Sequence, residues 1–148
     1  MIDIENKVFD TVSTAVRNAF ATDNPGLTLY GEYVLSPTSF PCVTLIETDN
    51  YTLRRTQDDA LTEHDAEVVY EANIYTNNVS GRKTLAKAIA DVVDTSMQNM
   101  KFTRVLRTQT PNVDTTIYRL TMRYRAVVGV PVIDTDGNRT YQMYRNDR

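Results

Sequence analysis

The stretch "IYRLTMRYRAVVGV", residues 117 to 130, changes side-chain character with a period of two. Tyr118, Leu120, Met122, Tyr124, Ala126 and Val128 fall on one side, and Ile117, Arg119, Thr121, Arg123, Arg125 and Val127 on the other. Successive side chains of a pleated strand point to opposite faces, so this is a half-buried β-strand with an apolar face and an arginine-bearing face. The segment "AEVVYEANIYTN" (66–77) repeats the pattern: Val68, Tyr70, Ala72 and Ile74 oppose Glu67, Val69, Glu71 and Asn73. Each strand has one face to bury and one to show.

What covers the apolar face is written at three- and four-residue spacing. In "MIDIENKVFDTVSTAVRNAFA", Ile4, Val8, Val12, Ala15, Val16, Ala19 and Phe20 form the stripe of an amphipathic helix over 3–21. Asp3 is its expected cap, and Pro25 and Gly26 stop its continuation. A second helix is predicted over 80–100, capped by Ser80, with Leu85, Ala86, Ile89, Ala90, Val93, Met97 and Met100 as its stripe. Between the helices lie predicted strands at 27–34, 42–48 and 66–76; after the second come strands at 101–110 and 117–129. A hairpin on the Asp-Gly turn of "VPVIDTDGNRTYQMY" closes the chain. Pro41 follows an aromatic residue, and base rates predict a trans bond. The predicted architecture is α+β: two helices packed on one face of a mainly antiparallel β-sheet, with a C-terminal hairpin or tail.

The 148 residues suit a single domain over 1–148, with a long charged loop at 49–65 and a C-terminal extension at 131–148. The loop carries Arg54, Arg55, Asp58, Asp59, Glu63 and Asp65 with little apolar material to anchor it. The formal net charge of −3 is unevenly spread. Residues 1–100 hold seven Lys or Arg against fifteen Asp or Glu, and residues 101–148 hold nine against four. Opposite-signed regions of one domain pair within the fold or face different neighbours. No leader pattern and no apolar run of spanning length is read, so neither secretion nor membrane insertion is expected.

Catalytic designs find little material. Cys42 is the single cysteine and precedes an apolar run, as a buried thiol does. His64 is the single histidine, in a polar loop with no serine or cysteine beside it. Gly81, Arg82 and Lys83 lack the spacing of a phosphate-binding loop. "DTDGN" (134–138) has the opening acids of a calcium loop, but Arg145 stands where the twelfth-position acid belongs, so a hairpin turn is the better account. The chain is therefore expected not to be an enzyme and to carry no cofactor or metal.

Arg119, Arg123 and Arg125 admit three readings. They pair with Glu67 and Glu71 across adjacent antiparallel strands. They form, with loop residues Arg54, Arg55, Asp58 and Asp59, a contact with another subunit. Or they meet nucleic acid, against which the acidic N-terminal part weighs.

The phrases "IENKVF", "SFPCVTLIE", "EVVYEANIYTN", "GRKTLAKAIADVVDTSM", "FTRVLRT" and "TTIYRLTMRYRAVV", in this order, give the chain a likeness covering residues 2–130. It resembles the tail terminator (tail completion) proteins of long-tailed bacteriophages. These are layout and phrase likenesses rather than signature motifs, and "IDTDGNRTYQMYRNDR" is longer than the ending expected of that family. The resemblance implies a structural virion protein, made in the host cytoplasm, whose hexameric ring sits at the tail–neck junction. Such a ring caps the tail tube, ends polymerisation of the tube protein and offers a surface to the head connector, while phage DNA passes through it without specific binding. Another neck component, an adaptor or stopper, is the alternative within the same class; a nucleic-acid-binding module lies outside it.

Overall fold

Helix α1 (Glu5–Phe20) turns Val8, Val12 and Val16 fully inward, and the carboxylate of Asp3 accepts the Glu5 N–H at 3.1 Å. Ala19, which the spacing assigns to the stripe, is exposed. The computed structural model describes residues 2–34, 36–52, 65–77, 80–133, 135–137 and 139–145, with backbone alone over 130–133, 139–142 and 144–145. Past α1, Asn24 donates to the Phe20 carbonyl through both its backbone N–H (2.9 Å) and its side-chain amide (3.0 Å), closing the helix end. Gly26 follows at a close approach: a Cβ there would lie 2.7 Å from the Phe40 carbonyl oxygen. The Phe40–Pro41 bond is cis, contrary to the trans expectation; an aromatic before proline is the setting that favours this isomer.

The six strands are β1 (Thr28–Tyr30), β2 (Cys42–Thr52), β3 (Asp65–Thr76), β4 (Thr103–Gln109), β5 (Tyr118–Ile133) and β6 (Arg139–Arg145). β1 is shorter than the strand predicted over 27–34 and lies parallel to β2, with Thr28 opposite Cys42 and Tyr30 opposite Thr44. Every other pairing is antiparallel, and the order across the sheet is β1-β2-β3-β5-β4. β3 lines one edge of β5 from Tyr118 to Gly129. Along the opposite edge β4 pairs with Leu120–Arg125 and β6 with Ala126–Ile133, so those two strands lie end to end. The C-terminal extension is thus a hairpin, turned through Gly137 at φ 82°, a left-handed conformation glycine adopts without a Cβ clash. Pro131, which has no N–H to give, sits where the β5–β6 register shifts. Asp49–Thr52 and Asp65 of the predicted loop belong to β2 and β3, while Arg54, Arg55, Asp58, Asp59, Glu63 and His64 lie outside the described residues.

Helix α2 (Arg82–Asn99) begins at Gly81, not at the expected Ser80; Gly81 has φ 111° and brings no capping side chain. Its start is held by β3 and by the turn ahead of β5 instead: Thr76 donates to the Arg82 carbonyl (2.8 Å), and the Arg82 guanidinium donates to the Thr116 carbonyl (2.6 Å). Its end is a left-handed C-terminal cap at Lys101, φ 74°, with the Phe102 N–H returning to the Met97 carbonyl at 3.0 Å. That turn drops Phe102 into the core, edge-on to Tyr70 at a ring separation of 5.4 Å.

Both helices share one hydrophobic cluster with the apolar sheet face. Val8, Val12 and Val16 of α1 and Ala86, Ile89, Val93 and Met97 of α2 join Val43, Leu45, Val68, Ala72, Ile74, Leu120, Met122 and Ala126. The expected arrangement of two helices on one face of a mainly antiparallel sheet is the observed one. Phe102 is both core filler and the end of the α2 cap, so Phe102→Ala removes a fully buried ring. Its expected cost is about 3–5 kcal/mol, read as a lower melting temperature and denaturation midpoint with the fold retained.

Candidate functional site

The face of the sheet turned away from the helices is where the polar side chains collect. Glu71 stands directly opposite Arg123 in the β3–β5 register, and Arg125 stands opposite Val69, diagonal to Glu67. The resulting ion pairs are Arg123 Nε to Glu71 Oε2 at 3.5 Å and Arg125 Nη1 to Glu67 Oε1 at 3.7 Å. Arg119 stands opposite Tyr75, with its guanidinium 5.5 Å from that ring's centre and its Nε donating to Asn73 Oδ1 at 3.0 Å. The strand pair therefore brings Arg119, Arg123, Arg125, Glu67 and Glu71 onto one face of a single chain.

The pairs are uneven in depth. Glu71 and Glu67 side chains are 12% and 14% exposed, while those of Arg123 and Arg125 are 52% and 48% exposed. The carboxylates are sunk between the strands and the guanidiniums ride above them, so a neighbour meets the positive ends first. Half-exposed pairs at these separations contribute little stability, about 0–1 kcal/mol each.

Asn73, almost fully buried, ties the ladder together. Its Oδ1 accepts from Arg119 and from Thr121 Oγ1 (2.7 Å), and its amide donates to Glu71 Oε1 (3.1 Å). Thr121 gives its one hydroxyl proton to Asn73, so the 2.6 Å contact with Thr110 is made with the Thr110 hydroxyl donating. Cys42, Ile46, Val69 and Tyr75 are buried on this same face, outside the main core cluster. Burial pushes the Cys42 thiol up, which keeps it protonated, as the sequence position suggested. A groove of about 560 Å³ runs over the face, with Tyr33, Val105 and Leu106 beside Asp49, Arg123 and Arg125.

On the helix side of the sheet a second polar group escaped the sequence reading. Glu47 follows Val43 and Leu45 on the covered face, and its Oε1 accepts from the Tyr70 hydroxyl (3.2 Å) and from Asn50 Nδ2 (3.4 Å). It lines a cavity of about 360 Å³ together with Glu5, Glu32, Phe9 and Tyr30. Burial, and then the charge of Glu5, push its carboxyl up to about 7, against the lowering effect of the two hydrogen bonds. The signal was the period of two itself, which carries Glu47 inward behind Leu45. A third group sits at the α2–β4 corner. Asp94 accepts from the Tyr124 hydroxyl (2.8 Å) and from Gln98 (2.7 Å), and pairs with Arg104 at 3.1 Å. Burial first, then this bond, raises the Tyr124 hydroxyl.

Among the described residues no three His, Cys, Asp or Glu side chains gather as metal ligands, and no helix is long and apolar enough to cross a membrane. No protein-family model matches the chain, and no curated protein matches it significantly.

Two measurements check this geometry. Because the Glu47 carboxyl is raised in the folded state, folding takes up a proton between the ordinary carboxylate range and about pH 7, and stability falls as pH rises through that window. Glu47→Gln is expected to raise the melting temperature at pH 8 and leave it nearly unchanged at pH 5. A double-mutant cycle on Arg123→Ala and Glu71→Ala is expected to return a coupling of about 0.2–1 kcal/mol by chemical denaturation.

Proposed function

We propose that this protein is a non-enzymatic structural subunit of the tail-terminator kind, which assembles as a ring on the end of a phage tail tube. The observation that carries the reading is the sheet face itself. It presents outward guanidiniums over recessed carboxylates, next to exposed Tyr33, Val105 and Leu106. Arginine and aromatic side chains beside apolar ones, with their charges already partnered, suit the core of a protein–protein contact. Intrachain pairing by Glu67 and Glu71 also lowers the net charge that a phosphate backbone would meet, which supports a protein partner over nucleic acid. In this reading the partners are further copies of the chain, closing as a hexamer, then the tube protein and the head connector. DNA passes through without being gripped, and the finished protein resides in the virion at the tail–neck junction.

Native mass measurement and electron microscopy of the purified protein, alone and with tail-tube protein, test the reading. Closed rings seated on tube ends are expected. Arg123→Glu places like charge beside Glu71, and is expected to leave a folded chain that assembles poorly and yields tails of uncontrolled length. A chain that stays monomeric beside tube protein and binds only DNA overturns the proposal.

A further inference from the structure

The outermost strand β4 is an open template. From Arg104 to Gln109 every residue is exposed, including Val105 (51%) and Leu106 (37%), and among the described residues its strand pairing is with β5 alone. At the opposite end of the sheet β1 covers only Cys42–Thr44, so along Leu45–Tyr51 the strand pairing of β2 is with β3 alone among the described residues. Exposed edges of this kind recruit another strand unless something prevents it.

These two edges are complementary in charge. β4 reads TRVLRTQ, with Arg104 and Arg107 and no acid; Ile46–Thr52 of β2 reads IETDNYT, with Glu47 and Asp49 and no base. They are also complementary in facing. The irregularity at Val105 leaves Arg104 opposite Tyr124 and Arg107 opposite Met122, so both arginines lie on the helix side. Glu47, with Glu5 and Glu32 around its cavity, lies on that side too. On the other side Leu106, opposite Arg123, matches Tyr51, which is opposite Glu67 and 44% exposed. Direction agrees as well: β2, β3, β5 and β4 alternate, so a copy added without inversion sets its β2 antiparallel to the first copy's β4.

We infer that the β4 edge of one copy pairs with the β2 edge of the next, Arg107 entering the acidic cavity bounded by Glu5, Glu32 and Glu47, so that the sheet continues from subunit to subunit. The inference rests on the ring reading for closure and adds a second contact, through the sheet edges, to the one argued for the sheet face. Head-to-tail contact of two different edges is the kind that generates rings, whereas β4 against β4 across a two-fold axis would set arginines against arginines. Arg104 is already held by Asp94, so Arg107 carries most of the contact's charge.

The test uses full-length chains. Arg107→Glu alone, and Glu5→Arg with Glu32→Arg, alter exposed side chains and are expected to stay folded with a cooperative transition; the second variant is also expected to shift the melting temperature, because Glu5 raises the Glu47 carboxyl. Each is expected to weaken self-association about tenfold or more by native mass measurement. Mixing the two variants is expected to restore it, since in an alternating ring every edge again meets its opposite charge. In a mixture of Leu106→Cys and Tyr51→Cys chains, a short thiol cross-linker should join unlike chains, while buried Cys42 stays silent. Rings unaffected by either charge variant, or cross-links between Leu106→Cys chains alone, overturn the edge pairing and leave the ring reading standing. A wild-type chain that is monomeric both alone and with tube protein overturns both.

Discussion

Strand β5 is hydrogen-bonded on both edges, to β3 on one side and to β4 and then β6 on the other, and its alternation can satisfy all of them in one register only. A slip of one residue against β3 would turn Leu120, Met122 and Tyr124 out of the helix-covered core and drive Arg119, Arg123 and Arg125 into it. Burying unpaired guanidiniums costs far more than any pairing on the open face returns. The core therefore sets the register, and the register sets which glutamate each arginine meets. The ion pairs are consequences of packing rather than its cause, in keeping with their half-exposed geometry.

Irregularities in the ladders then decide where the remaining charges point. The β2–β3 register shifts between Glu47 and Asp49, where Thr48 donates its hydroxyl to the Val69 carbonyl at 3.2 Å. Beyond the shift Asn50, not Asp49, takes the helix side, and its amide reaches the Ile2 carbonyl at 2.8 Å, fastening the chain ahead of α1. The shift in β4 between Arg104 and Leu106 has the same kind of effect, placing two arginines three positions apart on one face. A bulged strand in each case re-aims side chains that strict alternation would have separated.

Most of the fold was legible in the chain. Both helices, the alternation of β3 and β5 and the face carrying the arginines follow from apolar spacing, because burial of one face is the dominant free-energy term and leaves a periodic trace, and the C-terminal hairpin follows from its Asp-Gly turn. Less legible were the ends of elements. Gly81 rather than Ser80 precedes α2, whose first residue is held by Thr76 of β3 and by the Thr116 carbonyl in the turn ahead of β5. β1 ends at Tyr30, opposite Thr44, although β2 runs on to Thr52.

By itself the sequence determined the α+β class, the one-sided core and a strand with Glu67 and Glu71 suited to pair with a strand carrying Arg119, Arg123 and Arg125. Tertiary structure alone decided that Glu71 meets Arg123 directly while Arg125 reaches Glu67 diagonally, and that Asn73 joins them to Arg119. It also placed Glu47 beside Glu5, two carboxylates 42 positions apart in sequence, in one cavity under α1. The physical reason is the range of each effect. Hydrophobic periodicity is local and repeats every two or four residues, whereas the depth of a charge and the identity of its partner depend on which distant strand lies alongside.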